Sequence, residues 1–154
     1  MGLGKCLAWT ALGMACASLG ARAEGVTIKV EIEGVTQGLF QAVEGLRSES
    51  EVLVAKGDTT AGPGAVKWTH LILRRAYDPQ LNGLCRWRQS VLDGSAQKRD
   101  GSIILFDKEG QVAARWVFHH GWPCRWEVPS VESSSVPPGL ETVEIVHEGL
   151  TLED

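Results

Sequence analysis

From Val26 to Glu33 every second side chain is apolar: Val26, Ile28, Val30 and Ile32 alternate with Thr27, Lys29, Glu31 and Glu33. Successive side chains of a strand point to opposite faces, so this segment is a strand with one wet face, and Gly34 stops it. Leu39–Val43 forms a second short strand with Gly45 as its breaker. Glu49, Glu51 and Leu53 alternate with Ser50, Val52 and Val54 in a third, less amphipathic one. Lys56–Val66 holds three glycines, a proline and two threonines, the composition of a loop or a long hairpin arm. Lys67–Tyr77 carries Leu71 and Leu73 on one face and Trp68 and Ile72 on the other. A strand apolar on both faces fits a sheet interior or a subunit contact.

Helical spacing occurs once. Pro79 can open a helix at its first turn, and Leu81, Leu84, Cys85, Trp87, Arg88, Val91 and Leu92 recur at three- and four-residue intervals up to Asp93-Gly94. Gly101–Phe106 is then a buried strand, Asp107–Gly110 a hairpin turn and Gln111–His119 its returning partner. Trp122–Gly139 reads as irregular, and Leu140–Glu148 as the last strand. Many antiparallel strands with one lateral helix predict a mainly β (α+β) fold, an antiparallel β-barrel or sandwich with a flanking helix. Strands and helices do not alternate, which excludes a doubly wound α/β sheet.

The chain of 154 residues, 44% hydrophobic and 22% charged, suits one domain and is too apolar for a disordered polymer. Its 15 basic residues against 19 acidic ones form no basic stripe, so nucleic-acid recognition is not expected. No apolar run reaches the ~18 residues of a membrane-spanning helix. The first 23 residues contain no acid. Lys5 precedes an apolar run from Cys6 to Leu19, and Ala21-Arg22-Ala23 fits the small-x-small cleavage rule. The expected division is a signal peptide over 1–23, cut between Ala23 and Glu24, and one domain over 24–154 exported to the periplasm or beyond. Cys85 and Cys124 remain after the cut and form a candidate disulfide in an oxidising compartment, with two free thiols as the alternative.

The residues offer little chemistry. His119, His120 and Cys124 are near in sequence, but adjacent histidines on a strand point to opposite faces and a third ligand at metal spacing is missing. Glu144 and Glu148 read as solvated-face residues, His147 as a structural histidine, and Arg74-Arg75 as a short solvated or interfacial patch. Ser90 has no nucleophile elbow, and KGDTTAGPG lacks the Lys-Ser/Thr end of a phosphate loop. No catalytic residue, metal or cofactor is expected.

Six segments, taken in order, resemble the tail-tube protein family of contractile phages and related injection machines. Gly38–Leu46 is similar to the family's G-x-F-x-E-V-x-G-L. Glu49-x-Glu51 and a Gly-rich arm lead into K-x-T-x-L-x-L-R-R at Lys67–Arg75. A Trp-containing helix precedes I-x-L-x-D-x-x-G at Ile103–Gly110. Trp116, Phe118, Trp122, Pro123 and Trp126 follow, and E-x-x-E-I-x-H-E-G-L closes at Glu141–Leu150. The resemblance implies a small barrel-like sandwich whose six copies form a ring, with rings stacked into a hollow tube, and a function of assembly without an active site. It implies self-association, with sheath, baseplate or capping proteins as further partners. By analogy the arm, with Lys56, Gly57, Asp58, Thr59 and Thr60, reaches the next ring, and Trp68 and Ile72 join the candidate contacts; the alternative is an ordinary surface loop. Family members assemble in the cytoplasm without a signal peptide, so the leader and the cysteine pair are departures that point to an exported tube. A conventional tail-tube subunit and a monomeric secreted binding domain are the alternatives.

Overall fold

The computed structural model describes residues 25–57, 59–130 and 139–153. The expected signal peptide, its Ala23–Glu24 cleavage site and Asp58 lie outside the described residues.

The alternating opening segment becomes β1 (Thr27–Ile32), with Val30 and Ile32 turned into the core. It pairs antiparallel with β2 (Thr36–Phe40) on one side and with β7 (Arg99–Phe106) on the other. The second expected strand is in fact split: β2 ends at Phe40 and β3 (Ala42–Glu44) begins after Gln41. Gln41 is a corner, its backbone N–H donating to the Arg74 carbonyl at 2.8 Å while β3 pairs with β6 (Leu71–Ala76). The full ladder runs β2-β1-β7-β8-β9-β6-β3, through β8 (Val112–Glu127) and β9 (Leu140–Val146), and β10 (Gly149–Glu153) pairs with β8. All pairings are antiparallel. The two ends of the ladder, β2 and β3, are neighbours in the chain and not in the ladder, so the sheet curls into a sandwich and stops short of a closed barrel.

β8 makes the second corner. Its first half pairs with β7 and β10, and its second half, Trp122–Glu127, with β9. His120 lies between the halves at φ 52°, the one positive φ among the described non-glycine residues. Asp100 holds the bend: one carboxylate oxygen accepts the His120 backbone N–H at 2.8 Å, and the other faces His119 Nδ1 at 3.3 Å. These bonds, the His120 backbone donor foremost, lower the Asp100 pKa.

The stretch read as irregular is therefore strand as far as Glu127. Pro123 hid it, because a proline has no ladder donor and is rarely found inside a sheet. Here Pro123 is paired with Ile145 beside a bulge at Cys124, where β-bulges tolerate proline. Lys67–Tyr77 is also not one strand. β5 (Ala61–Trp68) belongs to a separate hairpin, and β6 starts after a break at Thr69-His70. The break is fixed from three sides. Thr69 donates to the Arg47 carbonyl, its own carbonyl faces His147 Nε2 at 3.0 Å, and the His70 carbonyl packs on Gly45. A Cβ on Gly45 would lie 2.0 Å from that carbonyl oxygen, and its φ of 89° also favours glycine. His147 is indeed structural: it is buried, and its Nδ1 faces the Gly149 carbonyl where β9 turns into β10.

The helix, α1 (Gly83–Leu92), starts later than Pro79. Asp78 organises a turn there, its carboxylate accepting from Gln80 N and its carbonyl from Leu81 N, and Pro79 sits inside that turn. Leu84 and Trp87 face inward, joining Val30, Ile32, Phe40, Leu71, Leu73, Ile103, Phe118, Val143 and Ile145 in one core. Arg75 is not part of a solvated patch: it is 4% exposed and is buried against Glu141, whereas Arg74 stays near the surface and pairs with Glu44.

Candidate assembly surface

Among the described residues, β4 (Ser48–Val54) and β5 pair only with each other, as a two-stranded sheet outside the main ladder. The Lys56–Val66 arm is thus a hairpin tip and, from Ala61, one of its strands, rather than a plain loop. All seven residues of β4 are exposed. Val52, Leu53, Val54 and Val66 are 71%, 57%, 63% and 54% exposed, aliphatic side chains on a strand pair that no other element among the described residues covers. A lone two-stranded hairpin is marginally stable in water, and its apolar side chains gain only when another surface covers them. The exposed Lys67–Glu51 ion pair, at 2.7 Å, contributes little against that. The register shifts at Glu51, and opposite it Gly64 has no side chain, so the strands approach closely there.

Of the candidate contact residues, Lys56, Gly57, Thr59 and Thr60 are exposed at the hairpin tip. Trp68 is half-buried at its root, 5.9 Å from the His147 ring. Ile72 is half-buried on the main sheet, opposite Glu144. Tip, root and sheet face are three separate places along one strand path. The exposed aliphatics themselves stand in the sequence as SEVLV and AV.

Cys85 and Cys124 are free thiols, the alternative to the candidate disulfide. Cys85 sits on α1, while the bulge turns the Cys124 thiol toward β9, where it donates to the Glu144 carbonyl at 3.5 Å. Burial and the Glu144 charge push the Cys124 pKa up. His119, His120 and Cys124 have different partners: Asp100, Glu148 and Glu144 respectively. Glu148 also accepts from Lys98, which lowers its pKa. Ser90 donates its hydroxyl to the Trp87 carbonyl at 2.6 Å, a helix-internal bond. No helix among the described residues is long and apolar enough to cross a membrane.

Comparison with known proteins places this fold. No curated protein matches the chain. Among solved structures, the extracellular contractile injection system PVC sheath–tube complex in its extended state is similar at TM-score 0.69 and 17% identity, over 94% of this chain and 99% of that one. The anti-feeding prophage tube-terminating cap is similar at TM-score 0.70 and 19% identity, over 82% and 87%. Hcp1 from Salmonella typhimurium is similar at 0.58 and 14%, over 83% and 85%. At such identities the likeness is one of fold. A family described as T4-like virus tail tube protein gp19 matches residues 26–151, nearly all of the described structure, and on that match the chain belongs to this family.

Proposed function

We propose that this chain is the structural subunit of a tube, six copies closing into a ring and rings stacking head to tail. The observation that carries the reading is the uncovered β4–β5 hairpin, whose aliphatic row needs a neighbour's surface. Open edges support it: among the described residues β2 pairs only with β1, β3 only with β6 and β10 only with β8, so each offers an edge to another chain. A head-to-tail contact that closes gives a ring, and one that does not gives a filament. The similar structures include a sheath–tube complex, a cap and a baseplate, which favours sheath, baseplate and cap proteins as further partners.

Sedimentation and negative-stain imaging test the assembly. The purified chain is expected as rings or tubes with a mass near a sixfold multiple of the protomer. Leu53→Asp with Val66→Asp is expected to leave it monomeric with unchanged circular dichroism, since both side chains are exposed in the protomer. A wild-type monomer at high concentration, the state of a solitary binding domain, overturns the reading. So does a double variant that assembles like the parent.

The tube is exported in this proposal, the acid-free leader being removed before assembly. Mass spectrometry of the protein from envelope and medium fractions is expected to find Glu24 as the first residue. Uncleaved chain confined to the cytoplasm points to the conventional, internally assembled particle instead.

A further inference from the structure

We propose that His70, Cys124 and Glu144 form a binding site for a divalent transition-metal ion of the Zn²⁺ type on the outer face of the curled sheet. Three elements meet there. Glu144 lies on β9, facing outward because Val143 and Ile145 on either side of it face the core. His70 closes the β5–β6 break, next to Leu71, which pairs with Ile145. Cys124 reaches the same spot through the bulge in β8: Pro123 pairs with Ile145 and Arg125 with Glu144, leaving Cys124 as the extra residue. Bulges re-aim a side chain in this way and are common beside functional sites.

The donor atoms already converge. An imidazole nitrogen, the thiol sulfur and a carboxylate oxygen all lie within 4.8 Å of one another, and His70 Nδ1 is 2.8 Å from Glu144 Oε1. Tetrahedral Zn²⁺ with bonds of about 2.0–2.3 Å needs its ligand atoms roughly 3.3–3.8 Å apart, so the His70–Glu144 contact has to open slightly around the ion. The donor set selects the metal. Thiolate and imidazole favour Zn²⁺ and Co²⁺, whereas Ca²⁺ and Mg²⁺ take oxygen ligands. Binding replaces the thiol proton, which leaves to solvent, so the dication meets one thiolate and one carboxylate and the site becomes neutral. His70, with 48% of its side chain exposed, leaves the fourth position to water. The nearby cations are already engaged, Arg88 with the Pro123 carbonyl and Arg125 with Glu127. The ion would fasten the root of the hairpin to β8 and β9. Its binding is read without any assembly, so its failure leaves the tube reading untouched.

Co²⁺ is the probe. In the full chain with Cys6, Cys16 and Cys85 replaced by serine, kept reduced, every thiolate signal reports Cys124. One equivalent of Co²⁺ is expected to give a thiolate-to-cobalt charge-transfer band and the visible bands of a four-coordinate ion, both bleached by Zn²⁺. Adding Cys124→Ser is expected to abolish the charge-transfer band, and His70→Ala or Glu144→Gln to weaken binding at least tenfold. His70 is exposed, so its removal spares the fold. Absence of a saturable one-to-one band, or unchanged affinity in the His70→Ala chain, overturns the site and leaves a plain His–Glu pair beside a thiol.

Discussion

Replacing Glu141 with alanine is expected to lower the free energy of unfolding by about 3–5 kcal/mol, the range for stripping one partner from a buried ion pair. Arg75 and Glu141 are 4% and 2% exposed and stand directly opposite each other on β6 and β9. Arg75 Nε donates to Glu141 Oε2 at 2.6 Å, Nη1 to Thr36 Oγ1 at 3.0 Å and Nη2 to the Leu81 carbonyl at 2.8 Å. The other Glu141 oxygen accepts from Trp126 Nε1 at 2.8 Å. The Phe40 ring lies under the guanidinium, 5.4 Å away. One pair thus joins β2, the approach to α1, β6, β8 and β9. Truncating the carboxylate leaves the buried guanidinium charge without its counter-ion, and Arg75 Nε and the half-buried Trp126 indole N–H without their acceptor, so that desolvation is no longer offset. The apolar exchange of both partners, Arg75→Met with Glu141→Leu, is expected to recover much of the loss, because no charge is then orphaned. Urea unfolding followed by tryptophan fluorescence measures both. A loss below about 1 kcal/mol for Glu141→Ala contradicts the network.

The same pair shows what the sequence could and could not convey. Leu71, Leu73 and Arg75 share a parity, as do Glu141, Val143 and Ile145, so burial of the two charges was written in the alternation. Charge obscured it, since Arg and Glu are almost never fully buried unless paired, and the partners are 66 positions apart. Alternation alone sufficed for β1, and for the β7–β8 hairpin a short apolar run meeting a clear turn sufficed. It failed where the chain changes sheet. Corners at Gln41, Thr69-His70 and His120 do not interrupt hydrophobicity; they redirect it, and what fixes them is a carbonyl or carboxylate from elsewhere. The aliphatic side chains of the hairpin were readable as a consecutive run, Val52-Leu53-Val54, but only the fold shows that no other described element covers them. The metal-type cluster was invisible for a further reason: a bulge breaks the period by one residue, so counting back from Trp126 puts Cys124 on the core face although it lies beside outward-facing Glu144.

The second large effect concerns Phe118, which is fully buried where β8 nears its corner. Its ring is wedged between two glycines. A Cβ on Gly101, its partner across the β7–β8 ladder, would lie 2.4 Å from the ring Cζ and 2.9 Å from the Glu31 carbonyl oxygen. A Cβ on Gly121 would lie 2.6 Å from Cε2 and 3.1 Å from Ile145 Cγ2. The core at this point is therefore a ring laid into a slot between backbones, and either side of the fit can be changed. Phe118→Ala is expected to cost about 3–5 kcal/mol, the loss of a buried aromatic plus its cavity. Gly121→Ala is expected to cost about 3 kcal/mol, the upper end of overpacking, because the ring cannot retreat toward Gly101. The two costs should not add. With Phe118→Leu the slot is vacated where the new methyl points, so Gly121→Ala in that background is expected to cost at least 1 kcal/mol less than in the parent, a coupling typical of residues in contact. Denaturant unfolding of the four proteins of this cycle measures it. Additivity within about 0.5 kcal/mol would mean that ring and glycine do not constrain each other, and that Gly121 serves only the bend at His120.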